Sequence, residues 1–338
     1  MANQIPGIRA AALGPLFIWM QQNQRSLDAL LEQADLGYVT ANDPLQVIPL
    51  HNLAGLLVNA AREHGPDLLL RVAKETPALT DAMIGPFLAA ERTPRSALAL
   101  VSNALPYLSS HEHLALEAGP AEVTIRHFWG TSLDTEVTHY LQQFTAAMLE
   151  LLISKVSNGS GFRLRIAMLP HPTAGLDHLR DGMRSDLVPG NKIMMTSVAN
   201  AIVDAPFPNA PGNGSKPEIP PGLECLRSAA GMTGTVRLLI RAFLEVGTPT
   251  SAQVARAAGM SQRTFQRNLA REGTNFTRLL DEVRRDAALD WLELDTGRLA
   301  DLSHALGYAH PTAFTRAMHR WVGTTPRGQR RKMRPGTA

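Results

Sequence analysis

Residues 251–271 read SAQVARAAGMSQRTFQRNLAR, and this stretch decides how the C-terminal part of the chain folds. Val254 and Ala258 have the spacing of one buried helix face. Gly259 permits the left-handed backbone of a sharp turn, and Ser261 is a favoured N-cap residue for a second helix. The stretch therefore predicts two short helices joined by a tight turn, which is a helix–turn–helix unit.

The second of these helices has two different faces. At about 100° per residue, Arg263, Gln266 and Arg267 fall within roughly 100° of one another. Phe265 and Leu269 lie on the opposite side, where a core would hold them. Arginine can donate two hydrogen bonds to guanine, and glutamine can bind adenine, in the major groove of DNA. We interpret the polar face as a reading surface for DNA bases; the alternative for one such unit is an amphipathic helix with solvated arginines.

A second unit of the same kind follows in residues 302–318. Gly307 takes the place of Gly259 at an offset of 48 residues. Three later residues match at an offset of 49, so the second turn is one residue longer: Phe265, Arg267 and Leu269 correspond to Phe314, Arg316 and Met318. The polar face of the second helix contains Thr312, Thr315, Arg316 and His319. Two units with matched glycine, phenylalanine and arginine favour DNA binding over the solvated alternative.

A long helical segment, 275–294, lies between the two units and has apolar residues at helical spacing. A helix of this length can hold two reading helices roughly 34 Å apart, which is one turn of DNA.

The basic residues are concentrated in the same part of the chain. Residues 223–338 contain 18 Lys and Arg against 10 Asp and Glu, a net charge of +8. Residues 1–222 contain 15 against 20, a net charge of −5. This asymmetry predicts a basic module that meets a polyanion, attached to a body with another task.

The boundary between the two parts is rich in proline, glycine and asparagine over residues 206–222. That composition suits neither a helix nor a central strand, so the segment is predicted to be an interdomain linker. The expected organisation is an α+β effector-sensing or dimerisation domain over 1–205, this linker, and an all-α domain over 223–338. The all-α domain is expected to contain two helix–turn–helix units joined by a long helix.

The N-terminal domain is expected to have helices at its start and strands around one long helix. Thr93 and Pro94 fit the N-cap and first turn of a helix that ends near Ser109. The predicted helices are 50–63, 67–74, 93–109 and 134–156, and the predicted strands are 113–117, 122–129, 162–169 and one or two within 192–203. A turn at 118–121 is predicted to join two of the strands into a hairpin. The apolar side of the long helix is predicted to contain Val137, Leu141, Phe144, Met148, Leu151 and Leu152.

The closing part of the chain has a pattern that resembles a known family. The pattern consists of Gly307-Tyr308, Phe314 to Met318, Trp321, Gly323 and Thr325-Pro326. Positions 235–331 resemble the DNA-binding domain of AraC/XylS-family transcription regulators. The family pattern ends in Pro-x-x-Tyr-Arg, and here Gln329 replaces the aromatic residue. The resemblance implies base or backbone contacts for Arg263, Gln266, Arg267, Thr312, Thr315 and Arg316.

Residues 9–205 also resemble the effector domain of one branch of this family. The resemblance is carried by the stretch from Arg92 to Trp129, which includes 92–96 and 125–129, and by 200–206. That branch includes regulators of ornithine or arginine use and at least one sensor of cyclic di-GMP. The cupin-barrel pattern of the arabinose regulator is missing, so the resemblance does not imply sugar binding.

The sequence offers no evident catalytic constellation, and the chain is not expected to be an enzyme or to need a cofactor. It has no phosphate-binding loop, dinucleotide fingerprint or HExxH motif. His111 and His113 could share a strand face and bind a metal, but loop histidines are the favoured interpretation and no metal is expected. Ser160 fits a turn better than a nucleophile elbow, and Cys225 fits a small apolar filler better than a redox sensor.

Three arginines of the N-terminal domain are candidates for an effector site. Arg92, Arg95 and Arg126 could converge on an anionic effector, because the guanidinium fork suits carboxylate and phosphate groups. The alternative is that they are solvated and paired with Glu91 or Glu122.

These observations together predict a sequence-specific DNA-binding transcription regulator that acts with RNA polymerase and is controlled by an unknown small-molecule effector. An activator is expected, and repression stays open as the alternative output. We expect the protein to lie in the cytoplasm, because neither a signal peptide nor a membrane span is apparent. A homodimer is a further expectation. One alternative is a DNA-binding regulator without a small-molecule effector, controlled by a protein partner or by oligomerisation. Two further classes stay open: an enzyme whose DNA binding is regulatory, and an architectural protein.

Overall fold

The structure is a computed structural model that describes residues 4–40, 43–76, 91–156, 163–208, 225–227, 231–244, 247–294 and 297–333. The chain forms two compact units. The α+β unit comprises Pro6–Leu45 and Asn52–Ser228, and the helical unit comprises Met1–Ile5, Gln46–His51 and Ala229–Ala338. The predicted domain boundaries stay a prediction, since residues 209–224 of the linker region lie outside the described residues, as does Ser160.

The helices up to residue 203 are α1 (Gly14–Gln22), α2 (Asp28–Gln33), α3 (Leu50–His64), α4 (Leu68–Glu75), α5 (Pro94–Leu108), α6 (Thr135–Ser154) and α7 (Asn200–Val203). Two short 3-10 helices cover Ala10–Leu13 and Asp177–Leu179. The strands are β1 (Gly7–Arg9), β2 (Val47–Pro49), β3 (Glu112–Ala118), β4 (Glu122–Trp129), β5 (Arg165–Met168), β6 (Asp186–Pro189) and β7 (Met194–Ala199). Within the described ranges, no helix is long and apolar enough to cross a membrane.

The α+β unit contains an open five-stranded sheet with the order β3-β4-β7-β5-β6. Its pairs are antiparallel except β5 and β6, which run parallel. The predicted hairpin is confirmed, because Glu112 pairs with Trp129 and Ala118 with Val123. Within 192–203 the chain forms one strand and then the short helix α7, so a second strand there is wrong. Strand β6 was not predicted, since four residues that end in a proline carry little periodicity.

Local sequence explains where α5 and α6 begin. The Thr93 side chain accepts from the Ser96 backbone N–H, Ser96 reciprocates, and Pro94 occupies the first turn of α5. The Asp134 side chain accepts from the backbone N–H of Glu136 at 2.9 Å at the start of α6. Both predicted N-terminal boundaries are therefore confirmed.

Helix α6 is buried on more than the side that the sequence predicts. Val137 and Leu152 are buried in the expected stripe. The helix also buries five polar residues: Thr138, His139, Gln142, Gln143 and Glu150. Glu150 accepts from Lys74 Nζ at 2.8 Å and from Ser185 Oγ at 2.6 Å, so the buried carboxylate is paired and hydrogen-bonded. Because α6 is covered on several sides, its polar side chains are buried and need hydrogen-bond partners in the segments that cover them.

The helical unit contains α8 (Gly231–Leu244), α9 (Ser251–Ala257), α10 (Gln262–Arg271), α11 (Phe276–Leu294), α12 (Leu299–Ala305), α13 (Pro311–Val322) and α14 (Pro326–Met333). Helix α11 lies at its centre and packs against α8 and α14. The C-terminal half of α11 shares a core with α12 and α13 through Ala288, Leu292, Leu302, Leu306, Phe314 and Met318. Helix α14 was not predicted, because its eight residues are mostly polar and contain too few apolar side chains to show a helical period.

Candidate nucleic-acid interface

The turn between α9 and α10 is closed by two backbone hydrogen bonds. Gly259 has a φ of 64° and donates its N–H to the Arg256 carbonyl at 2.8 Å. The N–H of Met260 reaches the Ala255 carbonyl at 2.9 Å. This pattern ends a helix in a left-handed residue and satisfies its last carbonyl groups, and glycine adopts that conformation without a Cβ penalty.

The turn between α12 and α13 repeats this geometry. Gly307 has a φ of 72°, and its N–H donates to the His304 carbonyl at 2.8 Å. The N–H of Tyr308 donates to the Ser303 carbonyl at 3.0 Å. Each of these four residues lies 48 positions after its counterpart in the first turn. The duplication predicted from the sequence is therefore present in the backbone.

Helix α10 presents its polar face to solvent. Ser261 caps the helix, and its Oγ accepts from the Thr264 N–H at 3.3 Å. Phe265 and Leu269 are both 0% exposed, and they fix which side of the helix is buried. The candidate DNA-contacting residues of this helix are all exposed: Arg263, Gln266 and Arg267.

Helix α13 is arranged in the same way with a different cap. His310 is the N-cap without a side-chain hydrogen bond, and Pro311 occupies the first turn, as expected from its fixed φ. Phe314 and Met318 are at most 1% exposed. Thr312 and Arg316 are exposed, and the half-buried Thr315 donates its hydroxyl to the Pro311 carbonyl at 3.0 Å. Its oxygen keeps acceptor capacity, while its proton is used within the helix.

Ion pairs divide the arginines of the helical unit into two groups. Several are paired with carboxylates of α11: Arg237 and Arg278 with Glu282, Arg241 with Asp290, Arg285 with Asp286, and Arg320 with Asp281. By contrast, Arg263, Arg267 and Arg316 have no ion pair with any residue of the described ranges. Positive charge that is available to an external anion is therefore present on α10 and α13, the two predicted reading helices. Within the described residues, Arg327, Arg331 and Lys332 of α14 are also exposed and without an ion pair, so this charge is not confined to the two helices.

The tail of the unit is held without the aromatic residue of the family pattern. Gln329 lies within α14, and its N–H donates to the Thr325 carbonyl at 2.8 Å. The next residue, Arg330, places its guanidinium 5.1 Å from the ring centroid of Trp291 and donates to the Gly297 carbonyl at 3.2 Å. A cation–π contact thus joins α14 to α11.

Two family models match this chain in succession. The first, described as the helix-turn-helix domain, matches residues 254–332 and covers both units. The second, described as the arabinose-binding domain of AraC transcription regulator, N-term, matches residues 25–189. The chain belongs to the AraC family of transcription regulators. Our expectation that sugar binding is not implied stays a prediction.

Among curated proteins, this AraC-family chain is similar to an uncharacterized HTH-type transcriptional regulator of Mycobacterium tuberculosis, with 38% identity over 97 residues. The match covers 28% of each chain. The ornithine utilization regulator of Pseudomonas aeruginosa is 33% identical over 78 residues, 23% of each chain. The matched stretch thus spans less than a third of these relatives' length. The crystal structure of the transcriptional regulator CdpR from P. aeruginosa aligns over 90% of this chain and 96% of its own, with 19% identity and a TM-score of 0.38.

The three arginines proposed for an effector site do not share a partner. Arg95 donates to Asn200 at 2.9 Å and to Asp204 at 2.6 and 2.9 Å, and its bonds to Asp204 lower the pKa of that carboxyl. Arg126 donates to Glu117 on the neighbouring strand at 2.7 Å. Arg92 is exposed before α5. The geometry favours the alternative of carboxylate-paired arginines, with Asp204 and Glu117 in place of Glu91 and Glu122.

The His111-Glu112-His113 stretch is held by separate contacts. His111 Nδ1 lies 2.6 Å from Ser110 Oγ, and the ring of His113 stacks on Phe128 at 4.9 Å between centroids. Glu112 points the other way and accepts from His127 Nε2 at 2.9 Å. Across the described ranges, no group of three or more His, Cys, Asp or Glu is arranged to hold a metal ion.

A cluster of three histidines was missed from the sequence. His139 of α6 is 0% exposed, its Nδ1 lies 2.7 Å from the Leu169 carbonyl, and its Nε2 lies 3.2 Å from His178 Nε2. His171 lies 3.1 Å from the Tyr140 hydroxyl and stacks edge-on against His139. Burial, with a smaller contribution from the neighbouring histidines, lowers the pKa of His139 to about 4. The only signal in the sequence was that one helix and one loop both contained histidine.

Proposed function

We propose that the chain is a sequence-specific DNA-binding transcription regulator whose DNA contacts come from α10 and α13. One observation carries the proposal: two turns closed by the same pair of backbone hydrogen bonds are each followed by a helix with a buried phenylalanine and exposed arginines, and these arginines form no ion pair with any described residue. Arg263, Gln266 and Arg267 are assigned to the first reading helix, and Thr312, Thr315 and Arg316 to the second. Phosphate contacts from arginines would supply a salt-dependent share of the affinity.

The α+β unit is proposed to bind a small-molecule effector and to bias the DNA-binding state. The match of residues 25–189 to an effector-domain model of this family supports this part of the proposal. Dimerisation, contact with RNA polymerase and activation rather than repression belong to the same proposal.

Selection of DNA sites from a random pool by the full chain tests the DNA-binding part. Enriched sequences should contain two conserved elements about one helical turn apart, since each reading helix occupies one major-groove segment. A pool that shows no enrichment after successive rounds, with binding that depends only on salt, would overturn sequence-specific recognition.

The alternative, a regulator without a small-molecule effector, is favoured by one feature of the α+β unit. Met195 of β7 is 39% exposed; its register partner on β4 is Arg126, and Phe128 of the His113–Phe128 stack lies two residues further along the same face of β4. A partner or a second copy could cover this face. Sedimentation of the full chain and of its Met195→Glu variant tests this alternative. The alternative requires the full chain to form an assembly and the variant to be a monomer. A full chain that sediments as a monomer, like its variant, would contradict oligomeric control through this face.

A further inference from the structure

The α+β unit contains a partly open apolar cavity of about 270 Å³ between its helices and the sheet. Its lining includes Leu16 of α1, Leu57 of α3, Leu98 and Val101 of α5, and Phe144 and Met148 of α6. Almost all of the lining surface is contributed by apolar atoms. Close-packed interiors have few voids larger than a water molecule, so a space of this size inside a folded unit is a candidate ligand site.

One end of this cavity is polar. His127 and Trp129 lie two residues apart on β4, so their side chains leave the sheet on the same face and both line the cavity. Glu112 of β3 also lines this end and accepts from His127 Nε2 at 2.9 Å. His127 is buried, with only 2% of the residue exposed. This end therefore contains a buried, oriented imidazole beside an indole ring.

Two polar atoms at this end have no partner within the described part of the chain: His127 Nδ1 and Trp129 Nε1. Buried polar groups in native structures are almost always hydrogen-bonded, because an unsatisfied group keeps its desolvation penalty without compensation. Both atoms belong to residues that line the apolar cavity. A molecule inside the cavity can satisfy both atoms at once.

We infer that the cavity binds a small, uncharged, largely apolar molecule that carries a hydroxyl group, with the hydroxyl against His127 and Trp129. This inference rests on the proposed effector-sensing role of the α+β unit and names the ligand class of that role. An apolar cavity of about 150 Å³ accommodates benzene, so this one accommodates a molecule of roughly ten non-hydrogen atoms.

The donors and acceptors at the polar end determine the head group. Indole Nε1 can only donate a hydrogen bond. His127 Nε2 lies 2.9 Å from the Glu112 carboxylate, which can only accept, so Nε2 is the donor of this pair. In the tautomer that carries its proton on Nε2, Nδ1 is an acceptor. A hydroxyl accepts from Trp129 and donates to His127, and so satisfies both. A carboxylate can only accept, so it cannot donate to His127 Nδ1. Arg9 also lines the cavity, but its Nε and Nη1 donate to the carbonyls of Tyr107 and Leu45 at 3.2 and 2.6 Å.

Isothermal titration of the full chain with 2-naphthol, naphthalene and 2-naphthoate tests the inference. The three probes share one bicyclic apolar body and differ in the hydroxyl, its absence and a negative charge. We expect one 2-naphthol per chain, bound at least about tenfold more tightly than either other probe, since one good neutral hydrogen bond contributes about that factor. Equal binding of 2-naphthol and naphthalene, preferential binding of naphthoate, or binding of none of the probes would overturn the inference.

Two variants show whether binding occurs in this cavity. Trp129→Phe keeps an aromatic ring but removes the N–H, so 2-naphthol should bind only as well as naphthalene. Trp19→Phe is the matched control, because Trp19 Nε1 donates to Glu75 at 2.7 Å and the ring does not line the cavity. Ala104→Phe fills the cavity and should abolish binding of every probe without lowering the melting temperature. Retention of the hydroxyl preference by Trp129→Phe, or of binding by a folded Ala104→Phe, would contradict the assignment.

The same preparations separate this inference from the proposed function. A chain that enriches a DNA sequence but binds no probe retains the proposed DNA-binding function and overturns the cavity assignment. A chain that binds 2-naphthol in a Trp129-dependent way but enriches no DNA sequence retains the cavity assignment and overturns sequence-specific DNA binding.

Discussion

Phe265 and Phe314 occupy the same position in two successive helix–turn–helix units, four residues after the N-cap residue of each second helix. The two rings are 0% and 1% exposed. Phe265 packs near Phe276 at the start of α11, and Phe314 packs near Tyr308 in the turn that precedes its own helix. Phe265 therefore anchors its reading helix to α11, and Phe314 anchors its reading helix to the turn before it.

Removal of either ring should destabilise the helix–turn–helix unit that contains it more than the other helix–turn–helix unit. Phe265→Ala and Phe314→Ala should each cost about 3–5 kcal/mol of local stability, because both rings are fully packed. Hydrogen exchange followed by mass spectrometry should show faster exchange in 251–271 for the first variant and in 299–322 for the second. Gln266→Ala, an exposed change on the same helix, should alter neither region. Uniform acceleration over both regions in either variant would show that the two units unfold as one.

The two turn glycines should tolerate alanine to different degrees. Both have positive φ, so alanine is strained at either position by about 1–2 kcal/mol. At Gly259 the added Cβ would meet only the His51 ring at 3.4 Å. At Gly307 it would overlap Thr248 Oγ1, which donates to the Gly307 carbonyl at 2.9 Å and accepts from Arg284 at 3.1 Å.

Scanning calorimetry of Gly259→Ala and Gly307→Ala should therefore show the larger loss of melting temperature for Gly307→Ala. The extra cost should be about 1 kcal/mol, the value of a lost hydrogen bond. The double variant Gly307→Ala with Thr248→Ala relieves the overlap and should lose less additional stability than the two changes summed. Equal losses in the two single variants would show that backbone strain alone sets the cost.

The sequence was sufficient for the helix–turn–helix units because their determinants are local. Gly307, Phe314 and the residues between them fix a turn and a buried face within a dozen positions, and a second copy removes the ambiguity of one. The sequence was not sufficient for α6, because His139 is buried by segments about thirty and forty residues away rather than by its own neighbours.

The candidate effector site shows the same limit. Arg95 and Arg126 were singled out by residue type, but the charges that pair with them, on Asp204 and Glu117, depend on strand register and on where the chain turns after β7. The apolar cavity is lined by segments that lie far apart along the chain, and it exists because their side chains leave space between the helices and the sheet. The periodicity of a single segment cannot predict such a space.

Acidification should weaken the α+β unit through its buried histidines. The pKa of His139 in the folded chain is about 4, against 6.5 for the free side chain, so the unfolded chain binds the proton more readily between these values. The stability that depends on neutral His139 is present above pH 6.5 and is lost as the pH falls towards 4. The full gap corresponds to about 3 kcal/mol. Burial also lowers the pKa of His178, which acts in the same direction.

Thermal unfolding between pH 7 and pH 4 checks this linkage. His139→Gln keeps an amide that can donate to the Leu169 carbonyl but cannot titrate, so its stability should fall less steeply over this range. His319→Gln, an exposed change in the helical unit, should keep the wild-type slope. A His139→Gln variant with the wild-type slope would place the acid sensitivity on other groups.

Arg267→Ala should weaken specific DNA binding more than non-specific binding. Arg267 is exposed on α10 beside Gln266, on the side opposite Phe265, so its guanidinium is available to a base edge. Loss of a bidentate arginine–guanine contact costs about 1–3 kcal/mol, or about a 5- to 150-fold weaker Kd on the selected site. A phosphate contact would instead weaken binding to all sequences and reduce the dependence of the affinity on salt.

Mobility-shift titrations at two salt concentrations, on the selected site and on a scrambled site, separate these roles. Arg241→Ala is the matched control, since Arg241 is also exposed but lies 3.6 Å from Asp290 and its charge is already balanced within the unit. It should leave both affinities within about twofold, because exposed ion pairs contribute little. Equal losses by Arg267→Ala on both DNA fragments would assign Arg267 to the phosphate backbone, and no loss on either would remove α10 from the reading surface.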